Sequence, residues 1–519
     1  MIAAATSMIN TPTVEWWSIA PELVLGAASI VVLLVAILPS AFARSLAPLI
    51  ALVALVAAAV IAAMQFDTVY LDAFSGQVDS DQIANAARLL AAAAGAATVL
   101  YSLRARPDDG RDGEHYALIL AAVCGMGLFA AAGSLVSLFV GLELFSIALY
   151  VLCALEAERV ESLESGLKYL IIGGLSSAVL LYGSALVYGA TGSMDLAAIG
   201  DATARGPLLV AGAAMVLAAL AFKASVAPLH WWTPDVYDGA PTTITSFMAT
   251  ATKAAAFLAT ARVLIVAFHP ESSSWEPIVA GLAVTSIVVG NLGALVQQRI
   301  KRMLAYSSIA HAGYLLIGIV AWEVVGVAAL VYALAVYVVM TLGAFALVLL
   351  RERQVGASIT YDDLAGLGWS TNARYGWLSA LPALAMVIFM LSLAGIPPTS
   401  GFFAKFGLFD AAVDSGYAWL AIVGVLGSAV SLAYYLRVPV AMYMQAPPEA
   451  GHASAAGTGP TAAPQLLPAI GVALAIVTML LALPPASTLD SACDARQALL
   501  VQREGIAGDC GTRVAASRR

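Results

Sequence analysis

The sequence predicts an all-α protein that crosses a membrane many times. Three observations carry this. The 519-residue chain is 61% hydrophobic and only 11% charged, where a soluble domain carries roughly 25% charged residues. Its mean hydropathy is +0.91. Long apolar runs recur between short polar breaks, close to the roughly 20 residues a helix needs to span a bilayer. They are too long, and alternate too little, for the strands of a closed barrel, the other way to satisfy the backbone in lipid.

Taken in chain order, the apolar runs fall at 18–38, 45–65, 83–103, 115–132, 135–155, 166–189, 207–231, 242–268, 276–297, 303–321, 324–350, 376–412, 416–436 and 464–484. The span-length rule turns these into about fourteen transmembrane helices. The first is preceded by MIAAATSMINTPTVEWW, which has no positive leader, so the run is expected to stay as a helix with Trp16 and Trp17 at its interface. Two runs are irregular: Pro228 falls inside 207–231, and Pro397–Pro398 interrupts 376–412, which is far longer than one span needs. Longer polar connectors fall at 104–114 and 351–375. The segment 445–463 is rich in Pro, Gly, Ala and Ser and reads as a flexible loop, and 485–519 as a polar tail.

Basic residues are distributed unevenly between alternate loops. One side collects Arg44, Arg104, Arg106, Arg111, Arg159, Arg299, Lys301, Arg302, Arg351, Arg353, Arg374 and Arg437; the other has Arg88 and Arg205 before the tail. The positive-inside rule then calls for an even number of helices with both termini outside a bacterial cytoplasmic membrane. No basic run suggests nucleic acid. The four cysteines include no CxxC and no zinc or iron–sulfur spacing. Cys124 and Cys153 lie in apolar runs as packing residues. Cys493 and Cys510 lie in the tail, where an oxidising compartment would let them pair.

The chemistry is carried by charges at membrane depth. Lys223 (LAALAFKASVAPLHWW), Lys253 (TSFMATATKAAAF) and Lys405 (SGFFAKFGLF) sit in apolar segments, as does Glu143 (SLFVGLELFSIALY). Lys168 lies where it can snorkel, Lys301 falls in a loop, and Arg262, near a helix end, snorkels or pairs. Ionisable groups inside a membrane are costly and functional by default. A single Lys–Glu pair could serve packing alone. Three lysines cannot all be neutralised by one glutamate, and an amine that can be neutral or charged is a proton relay. Lys405 follows one proline break and Lys223 precedes the other, which places both near backbone that lines an internal hydrated path. His311, in KRMLAYSSIAHAGYLL, could link two lysines or be an ordinary core histidine; His230, in APLHWWTPD, is a weaker gating or structural candidate.

Together FKASVAPLHWWTPDVYDGAPT, KRMLAYSSIAHAGY and AGIPPTSGFFAKF resemble the antiporter-like membrane subunits of respiratory complex I, a broad family that also contains the multi-subunit cation/proton antiporters. The resemblance covers about residues 115–440, and KYLIIGGLSSAVLLYG (168–183) is closest to the N-type branch. The M-type sister usually has a glutamate where Lys405 stands, and the L-type sister continues into a long lateral helix where this chain ends in a polar tail.

The resemblance implies N-terminal helices over 1–114, two inverted five-helix repeats over 115–268 and 276–440, each with one interrupted helix, and a loop, last helix and tail over 441–519. It implies that Glu143 and Lys223 form a pair, that Lys253 is the central relay, that His311 is the linking histidine and that Lys405 is the exit-side relay. It further implies a proton-translocating, non-redox subunit among other membrane subunits of an NADH:quinone oxidoreductase. NADH, FMN, iron–sulfur clusters and quinone would be handled on partner subunits, with no cofactor on this chain. The alternatives are a redox-independent cation/proton antiporter and a structural spacer, the latter disfavoured by the lysine set.

Overall fold

The computed structural model describes residues 14–37, 41–105, 112–203, 206–323, 325–369, 380–446 and 466–482. Its helices are α1 (Ala20–Ala36), α2 (Ala41–Met64), α3 (Gln82–Ala105), α4 (Asp112–Ala130), α5 (Leu135–Cys153), α6 (Val160–Thr191), α7 (Pro207–Lys223), α8 (Thr233–Gly239), α9 (Thr242–Ala267), α10 (Ser272–Leu295), α11 (Ile300–Val320), α12 (Gly326–Val355), α13 (Leu381–Ala394), α14 (Ser400–Asp414), α15 (Ala418–Met444) and α16 (Leu466–Leu480). Among the described residues, eleven helices are long and apolar enough to cross a membrane, and α7, α13 and α16 are shorter apolar helices. A two-stranded antiparallel ribbon, β1 (Tyr70–Asp72) and β2 (Val78–Ser80), departs from the all-α expectation.

Burial sorts the helices into rim and centre. α6 turns Leu167, Ile171, Leu175 and Tyr182 outward as exposed apolar surface. Every residue of α9 from Thr242 to Ala267 is buried. Its small side chains, with Ala and Thr recurring, let neighbours approach closely, as membrane helix packing requires. The α10–α11 contact is similarly tight: a Cβ at Gly290 would lie 2.3 Å from the Ala310 amide nitrogen.

Both irregular runs are broken. α7 ends at Lys223, residues 224–232 are not helical, and Ser225 takes φ +60° before α8 begins. α13 ends at Ala394, where Gly395 takes φ +81°, a left-handed cap glycine tolerates. α14 then starts at Ser400. The run 376–412 thus holds two half-length helices, and the runs 207–231 and 464–484 each hold one shorter apolar helix.

Three expectations from the sequence change. Lys301 is not in a loop: it is the second residue of α11, 2% exposed, and donates to the Ala240 carbonyl at 2.9 Å. Arg88 is not an interfacial charge. It is 3% exposed and paired with Glu22 of α1 at 2.7 Å, with Ser80 Oγ at 2.6 Å and the Ser18 carbonyl at 2.9 Å completing its donors. The expected connector 351–375 begins later, because α12 continues through Val355. Arg262 pairs rather than snorkels: fully buried, it meets Asp81 and donates from Nε to the Ala130 carbonyl at 2.9 Å. Cys124 and Cys153 are free and buried. Cys493, Cys510 and residues 447–463 of the Pro/Gly-rich segment lie outside the described residues.

Candidate functional site

Each buried lysine is held by neutral oxygens and aromatic faces. Lys223 closes α7. Its Nζ donates to Ser146 Oγ of α5 at 2.7 Å and to Tyr169 Oη of α6 at 3.1 Å, and lies 4.8 Å from the Phe145 ring centroid. Such a face attracts a cation through its quadrupole. Glu143, half-buried one turn before Ser146 on α5, accepts from Ser177 of α6. Glu143 of α5 and Lys223 of α7 therefore meet around the same two helices, α5 and α6, but no ion pair joins them; Ser146 lies one turn from Glu143 along α5.

Lys253 follows a π-helical turn at Met248–Thr252, and Arg262 precedes a second at Val263–Ala267. Such bulges often occur at functional sites. Lys253 Nζ donates to both oxygens of Ser308 on α11, with the Oγ at 2.6 Å, and lies 5.7 Å from the Tyr337 ring centroid of α12. His311 lies one turn further along α11. Its Nε2 is 3.3 Å from Tyr435 Oη, and its ring centroid is 5.1 Å from that of Tyr337 and 5.7 Å from that of Tyr314.

Lys405 lies across the break from α13. Its Nζ donates to the Leu393 and Ala394 carbonyls, both at 3.1 Å, and sits 4.6 Å from the Tyr314 ring centroid. These carbonyls belong to the last turn of α13, where a helix lacks its own donors and its dipole is negative. The adjacent prolines and the lysine thus belong together: the interruption exposes the acceptors that hold the amine.

Helix α11 connects the second and third lysines. Ser308, His311 and Tyr314 are spaced three residues apart, on one side of a helix, and touch Lys253, the intervening aromatics and Lys405 in turn. Tyr314 Oη accepts from Asn291 at 3.2 Å, and Asn291 accepts from Tyr434 at 3.0 Å. Between Lys223 and Lys253 the link is aromatic: Tyr169 stacks on Trp232 at 4.7 Å, Trp232 meets Tyr237 edge-on at 6.2 Å, and the Tyr237 hydroxyl lies beside those of Ser225 and Ser308.

The structure brings Lys253, His311 and Lys405 onto one line and puts Glu143 with Lys223 at its other end. Sequence reasoning missed the oxygen ligands: Ser146, Tyr169, Ser308 and the α13 carbonyls. Ser308 had a signal, three residues before His311 in YSSIAH; the others are brought close only by packing. His230 is half-buried at the α7–α8 break and is not a ligand of any of the lysines. Among the described residues, no three His, Cys, Asp or Glu side chains cluster as a metal site.

A helical bundle with two interrupted helices and a line of buried amines defines an antiporter-like membrane subunit. Residues 132–431 match the family described as NADH:quinone oxidoreductase/Mrp antiporter, TM, and the chain belongs to that family. It is 42% identical over 457 residues to NADH-quinone oxidoreductase subunit N 2 of Roseiflexus castenholzii, covering 85% of this chain and 89% of that one. It is similar to a chain of respiratory complex I from Thermus thermophilus with 34% identity and a TM-score of 0.74, covering 91% of this chain and 98% of that one. A chain of the Mrp complex from Dietzia sp. shares the fold, with a TM-score of 0.78 at 23% identity and coverage of 92% and 97%.

Proposed function

We propose that this chain is the N-type subunit of an NADH:quinone oxidoreductase and carries protons through a bacterial inner membrane along Glu143, Lys223, Lys253, His311 and Lys405. The observation that carries the reading is the α11 ladder, which puts a serine, a histidine and a tyrosine between two buried amines. Among the described residues no carboxylate is clamped on these amines, so each can lose its proton without breaking an ion pair there. An ionised Glu143 near Lys223 favours the ammonium. Moving that charge away favours release, and the proton passes by way of hydroxyls and water to Lys253, then by His311 towards Lys405.

In this reading the redox steps occur elsewhere. NADH, FMN, iron–sulfur clusters and quinone belong to partner subunits, and the partners of this chain are other membrane subunits and lipid. Both termini lie on the outer side. The units 115–268 and 276–440 are inverted repeats; in support, the interrupted helix is the fourth of five in each.

The test uses the whole respiratory enzyme, purified through a tag on this chain and placed in liposomes. Inhibitor-sensitive NADH:quinone reductase activity co-purifies with the tag. Lys223→Ala and Glu143→Ala both lower the protons moved per electron or the turnover; wild-type values in both variants overturn the relay. A second reading, redox-independent exchange of sodium or potassium for protons, draws on the fold shared with the Mrp complex chain. It requires cation-driven proton movement in vesicles given no NADH.

A further inference from the structure

A polar cavity of about 810 Å³ opens at the end of the bundle where α6, α8, α11 and α12 converge. Charged side chains of both signs line it, and most of its carboxylates are committed. Asp235 pairs with Arg302 at 3.0 Å and Lys168 at 3.4 Å, Asp238 with Arg299 at 2.9 Å, Glu164 with Lys168 at 2.6 Å, and Glu156 with Arg159. Glu161 is open to solvent. Glu352, near the end of α12, is different. It is half-buried, no ion pair within 4.0 Å holds it among the described residues, its electrostatic partner is the buried Lys301 of the same cavity, and its Oε2 accepts from Thr242 Oγ1.

Thr242 is the first residue of α9, the buried helix that carries Lys253. One turn further in, Ser246 is 0% exposed and its Oγ has no hydrogen-bond partner. A hydroxyl buried without a partner is costly, and a bound water is the usual remedy. Thr242 and Ser246 stand at i and i+4, on one face of the helix, and the π-helical turn Met248–Thr252 separates them from Lys253. The cavity, the Glu352 carboxylate, the threonine and the orphaned serine thus form a file that enters the helix carrying the central amine.

We propose that Glu352 is the residue that loads Lys253 with protons from the cavity. Glu352 takes a proton from hydronium in the cavity, which returns to water as the carboxylate becomes the neutral acid. The acid returns to carboxylate as a proton passes along Thr242, water and Ser246 to the neutral Lys253 amine, which becomes ammonium. No other species is consumed. The inference rests on the relay reading of Lys253 given above, and the test separates the two.

The variant E352Q keeps an oxygen acceptor for Thr242 but cannot carry a proton. In liposomes containing the whole enzyme, with NADH and quinone supplied, it is expected to lower proton translocation by about 10²-fold, the lower end of what a positioned acid–base group contributes. E352D, which restores the carboxylate, recovers most of the rate. Wild-type pumping by E352Q overturns the proposal and leaves Glu352 as a structural acceptor for the start of α9. K253A is run beside it. If K253A also pumps normally, the relay reading fails; if K253A is impaired and E352Q is not, the loading role alone fails. Should E352Q not assemble, T242V removes the first hydroxyl and leaves the carboxylate: a comparable loss supports the file, and normal pumping overturns it.

Discussion

Lys405 Nζ donates to the carbonyl of Ala394, the last residue of the half-helix before it, at 3.1 Å. The two are joined across a break that Gly395 makes possible. Gly395 has φ +81°, and a Cβ there would lie 3.0 Å from Lys405 Cδ. Gly395→Ala therefore strains the backbone, by about 1–2 kcal/mol for the left-handed conformation, and pushes the amine off its acceptors. The expected outcome is a less stable enzyme whose proton translocation falls more than its assembly does. Thermal unfolding and dye-detected pumping measure both; an unchanged variant would show that the break tolerates a side chain and that Lys405 does not need those carbonyls.

Lys223 offers a way to separate ligand from charge partner. Tyr169→Phe removes one oxygen and keeps the stacked ring on Trp232, and Ser146→Ala removes the other. Each loses a hydrogen bond to a charged group, worth about 1.5–3 kcal/mol, so each disfavours the protonated amine. Both substitutions are expected to slow coupled turnover, and the double variant to slow it less than the two effects summed, since both oxygens serve one amine. Strict additivity would argue that they act on separate steps.

His311 is expected to be an obligatory link, not a packing residue. His311→Leu keeps apolar volume in the pocket between Tyr337 and Tyr314 but removes both nitrogens. Proton translocation should fall about as far as in Lys405→Ala, because a break anywhere in a series path stops it. Tyr435→Phe, which removes the hydroxyl 3.3 Å from His311 Nε2, should give a smaller loss. A His311→Leu enzyme that pumps normally would return the residue to the core.

Arg262 should matter for stability more than for transport. Arg262→Met leaves the Asp81 carboxylate buried without its partner, a change that typically costs about 3–5 kcal/mol. Asp81 also caps α3 by accepting from the Ala84 amide at 2.9 Å, so Asp81→Ala loses the pair and the cap together. Both variants should unfold at lower temperature than wild type. A pumping defect with unchanged melting would instead draw this ion pair into the proton path.

The sequence alone was enough for the class of fold, because membrane spans are written in runs of apolar residues and the cost of polar backbone in lipid leaves few options. It also exposed the two breaks, since Pro228 and Pro397–Pro398 act locally, and it singled out Glu143, Lys223, Lys253, His311 and Lys405, since a charge in an apolar run is conspicuous in one dimension. Arg88 and Lys301 misled the reading for the converse reason. A basic residue beside a polar segment looks interfacial until its long-range partner, Glu22 or the Ala240 carbonyl, is known.

What holds the amines belonged to the tertiary structure. Ser146, Tyr169, Ser308 and the carbonyls of Leu393 and Ala394 are ordinary hydroxyls and backbone atoms, and apart from the spacing of Ser308 to His311 nothing in their local sequence marks them as ligands for a charge. Lys223 and Ser146 are 77 residues apart, and Lys253 and Ser308 are 55 apart. Only the packing of the helices brings such pairs to within hydrogen-bond reach, where distance decides whether an oxygen can stand in for the water that a buried amine has lost.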